Sequence, residues 1–237
     1  MILITDGRDY LTMNVKKLTL VDQIYQNIKS DISNNVLSPG QRINVKDLSR
    51  KYGVSDTPIK QALNRLMSDK MVVNTPNKGM SVRVITLEEM NDIFDMRLMM
   101  DLYFMKDIIA TLCYNETLRN QLIENVHLHE QCVSGEYSEQ PCSKYYELDN
   151  AFHELYLTGS GNKKAVETFA NLNPFMYSSY TYFQQPLIRD KECVVEHKAI
   201  LDAILKQDLN ALKNAVETHI CNSRKTMQLI FKVNQML

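Results

Sequence analysis

The stretch from Asn44 to Met67, Asn44-Val-Lys-Asp-Leu-Ser-Arg-Lys-Tyr-Gly-Val-Ser-Asp-Thr-Pro-Ile-Lys-Gln-Ala-Leu-Asn-Arg-Leu-Met67, narrows the folds open to this chain more than any other. It reads as two short helices joined at Gly53. Leu48, Val54, Ile59, Leu63 and Leu66 recur at spacings that bury one stripe. Ser55, Thr57, Lys60, Gln61 and Asn64 are left on the start and open face of the second helix. Ser55, Asp56 and Thr57 offer N-cap oxygens, and Pro58 suits a first helical position, where its missing N–H costs nothing. A helix presented by its N-terminal end to a major groove reaches base edges with short hydroxyls and amides, and phosphates with lysine. The residue types fit that task.

Directly afterwards, Met71 to Ile85 places two β-rich runs around Pro76, Asn77, Lys78 and Gly79, a hairpin with a basic tip. Three helices and such a hairpin make a winged helix-turn-helix, whereas an ordinary small helical domain with polar caps would not need the hairpin. The candidate DNA contacts are Lys46, Arg50, Ser55, Thr57, Lys60, Gln61 and Asn64, with Asn77, Lys78 and Gly79 in the wing.

Charge is divided along the same line. Whole-chain net charge is −1, but residues 16–84 hold twelve Lys or Arg against five Asp and no Glu, a net of +7. Residues 85–237 hold fourteen basic against twenty-one acidic residues, a net of −7. Only the first module is suited to a polyanion. The chain of 237 residues is long enough for two domains with real cores. We expect a tail over 1–15, a winged DNA-binding domain over 16–85, and a helical ligand-binding and dimerisation domain over 86–237. No stretch suits a secretory leader or a membrane span, so a cytoplasmic protein is expected. The five cysteines have no CxxC spacing and indicate neither a disulfide framework nor a zinc knuckle.

Beyond the wing, Thr86 and Glu89 form a capping-box arrangement, and the text stays helical almost to the end. Helices are predicted near 87–113, 116–133, 142–158, 162–184, 190–206 and 208–235. The fold class is thus mainly α, a winged helix-turn-helix followed by an all-α antiparallel bundle of about six helices. One constellation there has chemistry beyond packing: Asp149 and His153 at i, i+4, His197 in the fifth helix and His219 in the sixth. Converging from three helices, they would form an N/O site for a divalent transition metal with positions open for an oxyanion. Helical histidines are also common as core or surface residues, so spacing alone leaves both readings open. His127 and His129, on another helix, read as surface or packing residues.

Val54-Ser-Asp-Thr-Pro-Ile-Lys-Gln-Ala-Leu-Asn-Arg-Leu66 resembles the recognition-helix signature of GntR-family bacterial repressors, and Leu37-Ser-Pro-Gly-Gln-Arg-Ile43 resembles the loop before their second helix. Asp149-Asn-Ala-Phe-His153, Gly159-Ser-Gly-Asn162, Glu196-His-Lys-Ala-Ile200 and His219 fall in the order of the FCD ligand-binding domain of the FadR-like subfamily. The resemblance covers residues 18–230. It implies a homodimeric, cytoplasmic regulator that binds palindromic operator DNA and senses a small carboxylate metabolite. It also implies metal ligands at Asp149, His153, His197 and His219, for zinc, nickel or manganese. Arg97 aligns with an arginine that faces the effector in relatives; a guanidinium can hold a carboxylate bidentately, or can pair internally with Asp101. Asp56 and Lys60 replace two arginines of the usual recognition motif, Lys70-Met71 replaces Gly-Leu entering the wing, and Asp101 replaces a glutamate. The expected function is ligand-responsive transcription regulation without catalysis. The rival, a metal-dependent hydrolase using the His/Asp site, lacks an evident acid and base. Pocket-facing roles are open for Tyr146, Tyr177, Tyr180, Tyr182 and Asn222.

Overall fold

A computed structural model describes residues 18–33, 36–134, 143–172 and 185–236. Helix α1 (Leu20–Ser33) starts where Thr19 and Asp22 cap each other, the Thr19 hydroxyl accepting from the Asp22 amide at 3.1 Å. In α2 (Val45–Tyr52), the Asn44 side chain accepts from the Lys46 amide; α3 follows over Asp56–Ser68. Between them Gly53 takes a left-handed φ of 66°, which a β-carbon would disfavour. Ile24 and Ile28 of α1 pack with Leu48, Ile59, Leu63 and Leu66, all buried, while Val54 of the expected stripe is half-buried against them. Pro58 stands third in α3, because the helix begins at Asp56; its missing N–H still falls within the unpaired first turn.

Strands β1 (Val72–Thr75) and β2 (Gly79–Val82) pair antiparallel, with Val72 opposite Val82 and Thr75 opposite Gly79. Val72 and Val82 are both buried, which pins the register against the core of the head. A third segment reinforces the wing: the Ile43 amide donates to the Met80 carbonyl at 2.8 Å, and Arg42 forms an isolated bridge with Ser81.

The second half contains α4 (Leu87–Tyr103), α5 (Met105–Tyr114), α6 (Glu116–Ser134), α7 (Ser143–Thr158), α8 (Lys163–Asn171), α9 (Leu187–Leu205) and α10 (Leu209–Met236). Seven described helices thus stand where six were predicted. The helix expected over 87–113 is divided at Phe104 with no local breaker. The Tyr156 hydroxyl donates to the Asp101 carbonyl at 2.8 Å, occupying the acceptor that a continuous helix would offer to Met105. A tertiary hydrogen bond therefore takes part in the break. One start and one end also differ: α9 begins at Leu187, directly after Pro186, and of the helix expected over 162–184 the described part ends at Asn171. Residues 1–15, 173–184 and Cys142 lie outside the described residues.

The close approach of α7 to α5 depends on Gly159, where a β-carbon would lie 3.0 Å from the Tyr156 carbonyl and 3.3 Å from Ile108. Helix α6 packs on α7 and α9, and α10 packs on α4, α5 and α9. This arrangement brings the inner faces of α6, α7, α9 and α10 together. Among the described residues no helix is long and apolar enough to cross a membrane.

Candidate functional site

All ten residues expected to meet DNA are exposed on the head. Lys60, Gln61 and Asn64 lie on the side of α3 opposite buried Ile59, Ala62, Leu63 and Leu66. Asp56, standing where the family motif has arginine, accepts from the Ser49 hydroxyl at 2.7 Å and so ties α3 to α2. Arg50 is engaged with Asp47 at 2.5 Å. Sequence reading passed over Arg42, which is exposed and donates from Nε to the Lys78 carbonyl at 3.0 Å, placing a second cation at the wing turn. The Gly40-Gln-Arg42 loop was its only signal.

Inside the bundle, Asp149 and His153 from α7, His197 from α9 and His219 from α10 meet. The three histidines are buried, each at most 2 % exposed. His219 Nδ1 lies 2.9 Å from Glu196 Oε2, and its Nε2 lies 3.1 Å from His153 Nε2. His197 turns Nδ1 to His129 Nδ1 at 3.4 Å, and its Nε2 lies 3.6 Å from Asp149 Oδ1. His153 Nδ1 faces Asp101 Oδ2 at 4.0 Å. His219 and His197 each turn Nδ1 to an outer side chain, and the Nε2 atoms of His219 and His153 face each other. Metal-binding histidines are oriented in this way by outer hydrogen-bond partners.

Electrostatics favours the neutral form of His153 and His197. Burial, reinforced by the neighbouring imidazoles and Arg97, holds His153 and His197 well below the ordinary histidine range. Burial also lowers His129 to about 4. For Glu196 burial acts upward, yet hydrogen bonds from His219, Arg189 and Asn222 outweigh it and hold the carboxyl at about 2. Arg189 grips that carboxylate with two bonds of 2.7 Å, and Asn222 Nδ2 adds one of 2.8 Å. Asn222 therefore serves Glu196.

Arg97, on α4, is buried with its guanidinium 5.6 Å from the Phe169 ring centroid. Asp101 one turn on is buried too, and burial raises its carboxyl to about 7 against the opposing pull of Arg97. Both readings of Arg97 thus keep a physical basis: the acid is its close neighbour, and it lines a cavity of about 40 Å³ with Tyr146, Asp149, Arg189, Cys193 and His219. That volume admits a few water-sized groups, so a carboxylate of several carbons requires the lining to shift. Tyr177, Tyr180 and Tyr182 lie outside the described residues.

The donor set fits a dication. Tetrahedral nitrogens bound to one zinc-like ion stand about 3.3 Å apart, close to the 3.1 Å between His153 and His219. The three histidines offer ligand atoms all within 4.8 Å of one another, and Asp149, Cys193 and His197 form a second such group. Two participants were missed from sequence, His129 and Cys193, whereas Glu196 was expected near the ligands as a supporting or surface residue. His129, read as a surface or packing residue, is buried against His197, while His127 is exposed as expected and contacts Gln131. Cys193 and Glu196 precede His197 by one turn or less on α9; the spacing Cys193-x-x-x-His197 was the available signal.

Comparison with known proteins identifies both halves of the chain. The model for bacterial regulatory proteins of the gntR family matches residues 20–82, and that for the FCD domain matches residues 92–222. The HTH-type transcriptional repressor RspR of Escherichia coli K12 is 24 % identical over 218 residues, covering 90 % of each chain. The HTH-type transcriptional regulator YdhC of Bacillus subtilis 168 is 23 % identical over 197 residues, 83 % of this chain and 86 % of its own. Among solved structures, E. coli McbR/YncC superposes with a TM-score of 0.69 at 18 % identity, covering 91 % of this chain and 99 % of that one. Family and relatives are transcriptional regulators, not enzymes. With both models matched in chain order, one on the winged head and one on the bundle, this chain belongs to the GntR family of transcriptional regulators, in the group that carries an FCD domain.

Proposed function

We propose that the protein is a homodimeric, cytoplasmic repressor that releases its operator when a small carboxylate binds beside a divalent metal in the bundle. The observation that carries this reading is the convergence of buried His153, His197 and His219, with ligand atoms within 4.8 Å of one another, beside a cavity that Asp149 and His219 line together with Arg97. A bound dication would supply a positive centre with positions for carboxylate oxygens. Asp149, His153, His197 and His219 would hold it. Zinc, nickel and manganese are the candidates for this donor set. Arg97 would hold the effector bidentately. On the head, Lys60 and Lys78 would meet phosphates, with Lys46 and Arg50 nearby, while Ser55, Thr57, Gln61 and Asn64 would read base edges and Asn77 and Gly79 would shape the wing tip. A palindromic operator needs two heads, and the bundle, with the larger apolar surface, would supply the dimer contact.

The test combines elemental analysis with release of a labelled operator, selected from a random duplex library, by a panel of mono- and dicarboxylates. About one divalent ion per chain is expected, with release by at least one carboxylate and loss of that response in Arg97→Ala. A protein that binds no metal after reconstitution at neutral pH, or an Arg97→Ala variant with an unchanged response, would overturn the sensing reading.

A further inference from the structure

We propose that Cys193 is a ligand of the same metal, giving this site a sulfur donor alongside its imidazoles and carboxylate. The inference rests on the metal reading above and concerns a residue outside the set implied by family resemblance. Cys193 Sγ lies 3.6 Å from Asp149 Oδ1 and 3.9 Å from His197 Nε2. A sulfur and an oxygen or nitrogen on one five-coordinate zinc-like ion stand about 3.1 to 3.8 Å apart, so one distance falls inside that range and the other about 0.1 Å beyond it. Cys193 also groups with Glu196 and His219, all ligand atoms within 4.8 Å, so its sulfur belongs to two of the three candidate constellations among the described residues. Helix geometry explains this: Cys193 and His197 are one turn apart on α9 and present their side chains to one face.

Packing alone accounts for less. Cys193 is buried beside Tyr145 and Val194, as many structural cysteines are. A cysteine there only to fill space, however, does not need its sulfur directed at a carboxylate and an imidazole nitrogen. The Tyr145 side chain hydrogen-bonds Cys193, so a phenol is at hand to donate to a coordinated thiolate. On coordination the thiol proton leaves to solvent and the sulfur lone pair forms the metal bond; no oxidant or other reactant is involved. A thiolate selects softer ions. It favours zinc or cobalt at this site and disfavours manganese, which is suited by oxygen ligands.

The full-length protein is stripped and reloaded with cobalt(II), whose thiolate complexes show an intense near-ultraviolet sulfur-to-cobalt charge-transfer band. Wild-type protein should show the band, as should Cys132→Ser. Cys193→Ser and Cys193→Ala should bind cobalt without it. Cobalt bound by wild type with no such band overturns the sulfur ligand and leaves the His/Asp reading standing. A band that persists in Cys193→Ser also overturns it. Failure of wild type to bind cobalt or zinc at all removes the metal reading and this inference together. X-ray absorption at the zinc edge of wild-type protein needs no variant that must fold, and it should detect one sulfur in the coordination shell; a shell of nitrogen and oxygen alone contradicts the proposal.

Discussion

The two halves of the molecule deploy polar residues in opposite directions. In the head, hydroxyls, amides and lysines stand in water on the open face of α3 and at the wing turn, over a wholly apolar core. In the bundle, four histidines, two arginines and two aspartates are buried among aromatic and aliphatic side chains. The exposed face of the head is inexpensive to maintain and can change with little effect on folding. The bundle's centre is coupled, since each buried polar group depends on another for its hydrogen bond or charge. Substitutions in the first should therefore alter binding without altering stability, and substitutions in the second should alter both.

The largest effect is expected at Glu196. Glu196→Ala leaves Arg189 buried and without its bidentate partner and frees His219 Nδ1, which should cost roughly 3 kcal/mol in denaturant unfolding of the apoprotein. Arg189 can turn to Glu192, 3.5 Å away and exposed, which keeps the cost at the lower end of the range for broken buried pairs. A loss of less than a few tenths of a kcal/mol would mean that the bundle's polar centre is no more coupled than the head's surface. Next comes His129→Leu, which removes the partner of His197 Nδ1 and should weaken metal affinity about 10- to 100-fold while leaving the four proposed ligands in place. Calorimetric titration that finds unchanged affinity would return His129 to a packing role.

The pH dependence has a definite sign. Only the neutral imidazole binds metal, and proton competition begins near a histidine's own pKa. Because burial holds His153 and His197 well below the ordinary value, protons should begin to compete with the metal for these two ligands only at a pH below about 6.5. Release with a midpoint at or above 6.5 would contradict that shielding. The smallest effects belong to the head. Lys60→Ala and Lys78→Ala should each lower the log–log salt slope of DNA binding by about one unit per lost phosphate contact, with thermal stability unchanged. If both variants bind with unaltered affinity and slope, α3 and the wing are not the DNA face.

What could be read from sequence followed the same division. The head was legible because its signals are local: Gly53 at the turn, the stripe from Leu48 to Leu66, and the β-rich runs about Pro76 to Gly79 each fix structure within a few residues. The four His/Asp positions of the bundle were legible through helical spacing and family resemblance. The support from His129 was not, because it lies sixty-eight residues from the imidazole it contacts and nothing near it in sequence announces the contact. The division of α4 from α5 was hidden for the same reason, since it involves the Tyr156 hydroxyl fifty-five residues away. Arg42 was overlooked because its cation reaches the wing through a strand bridge that no local pattern encodes.

The central claim is that metal binding resides in the buried cluster and DNA binding in the exposed head, and the His197→Ala/His219→Ala double variant tests it most directly. Metal content and affinity for the selected operator duplex should be measured on the same preparations of wild type and variant. The account predicts about one divalent ion per wild-type chain, essentially none in the variant, and operator affinity retained to within a few-fold in both. Metal retained at wild-type stoichiometry after loss of both imidazoles would contradict it.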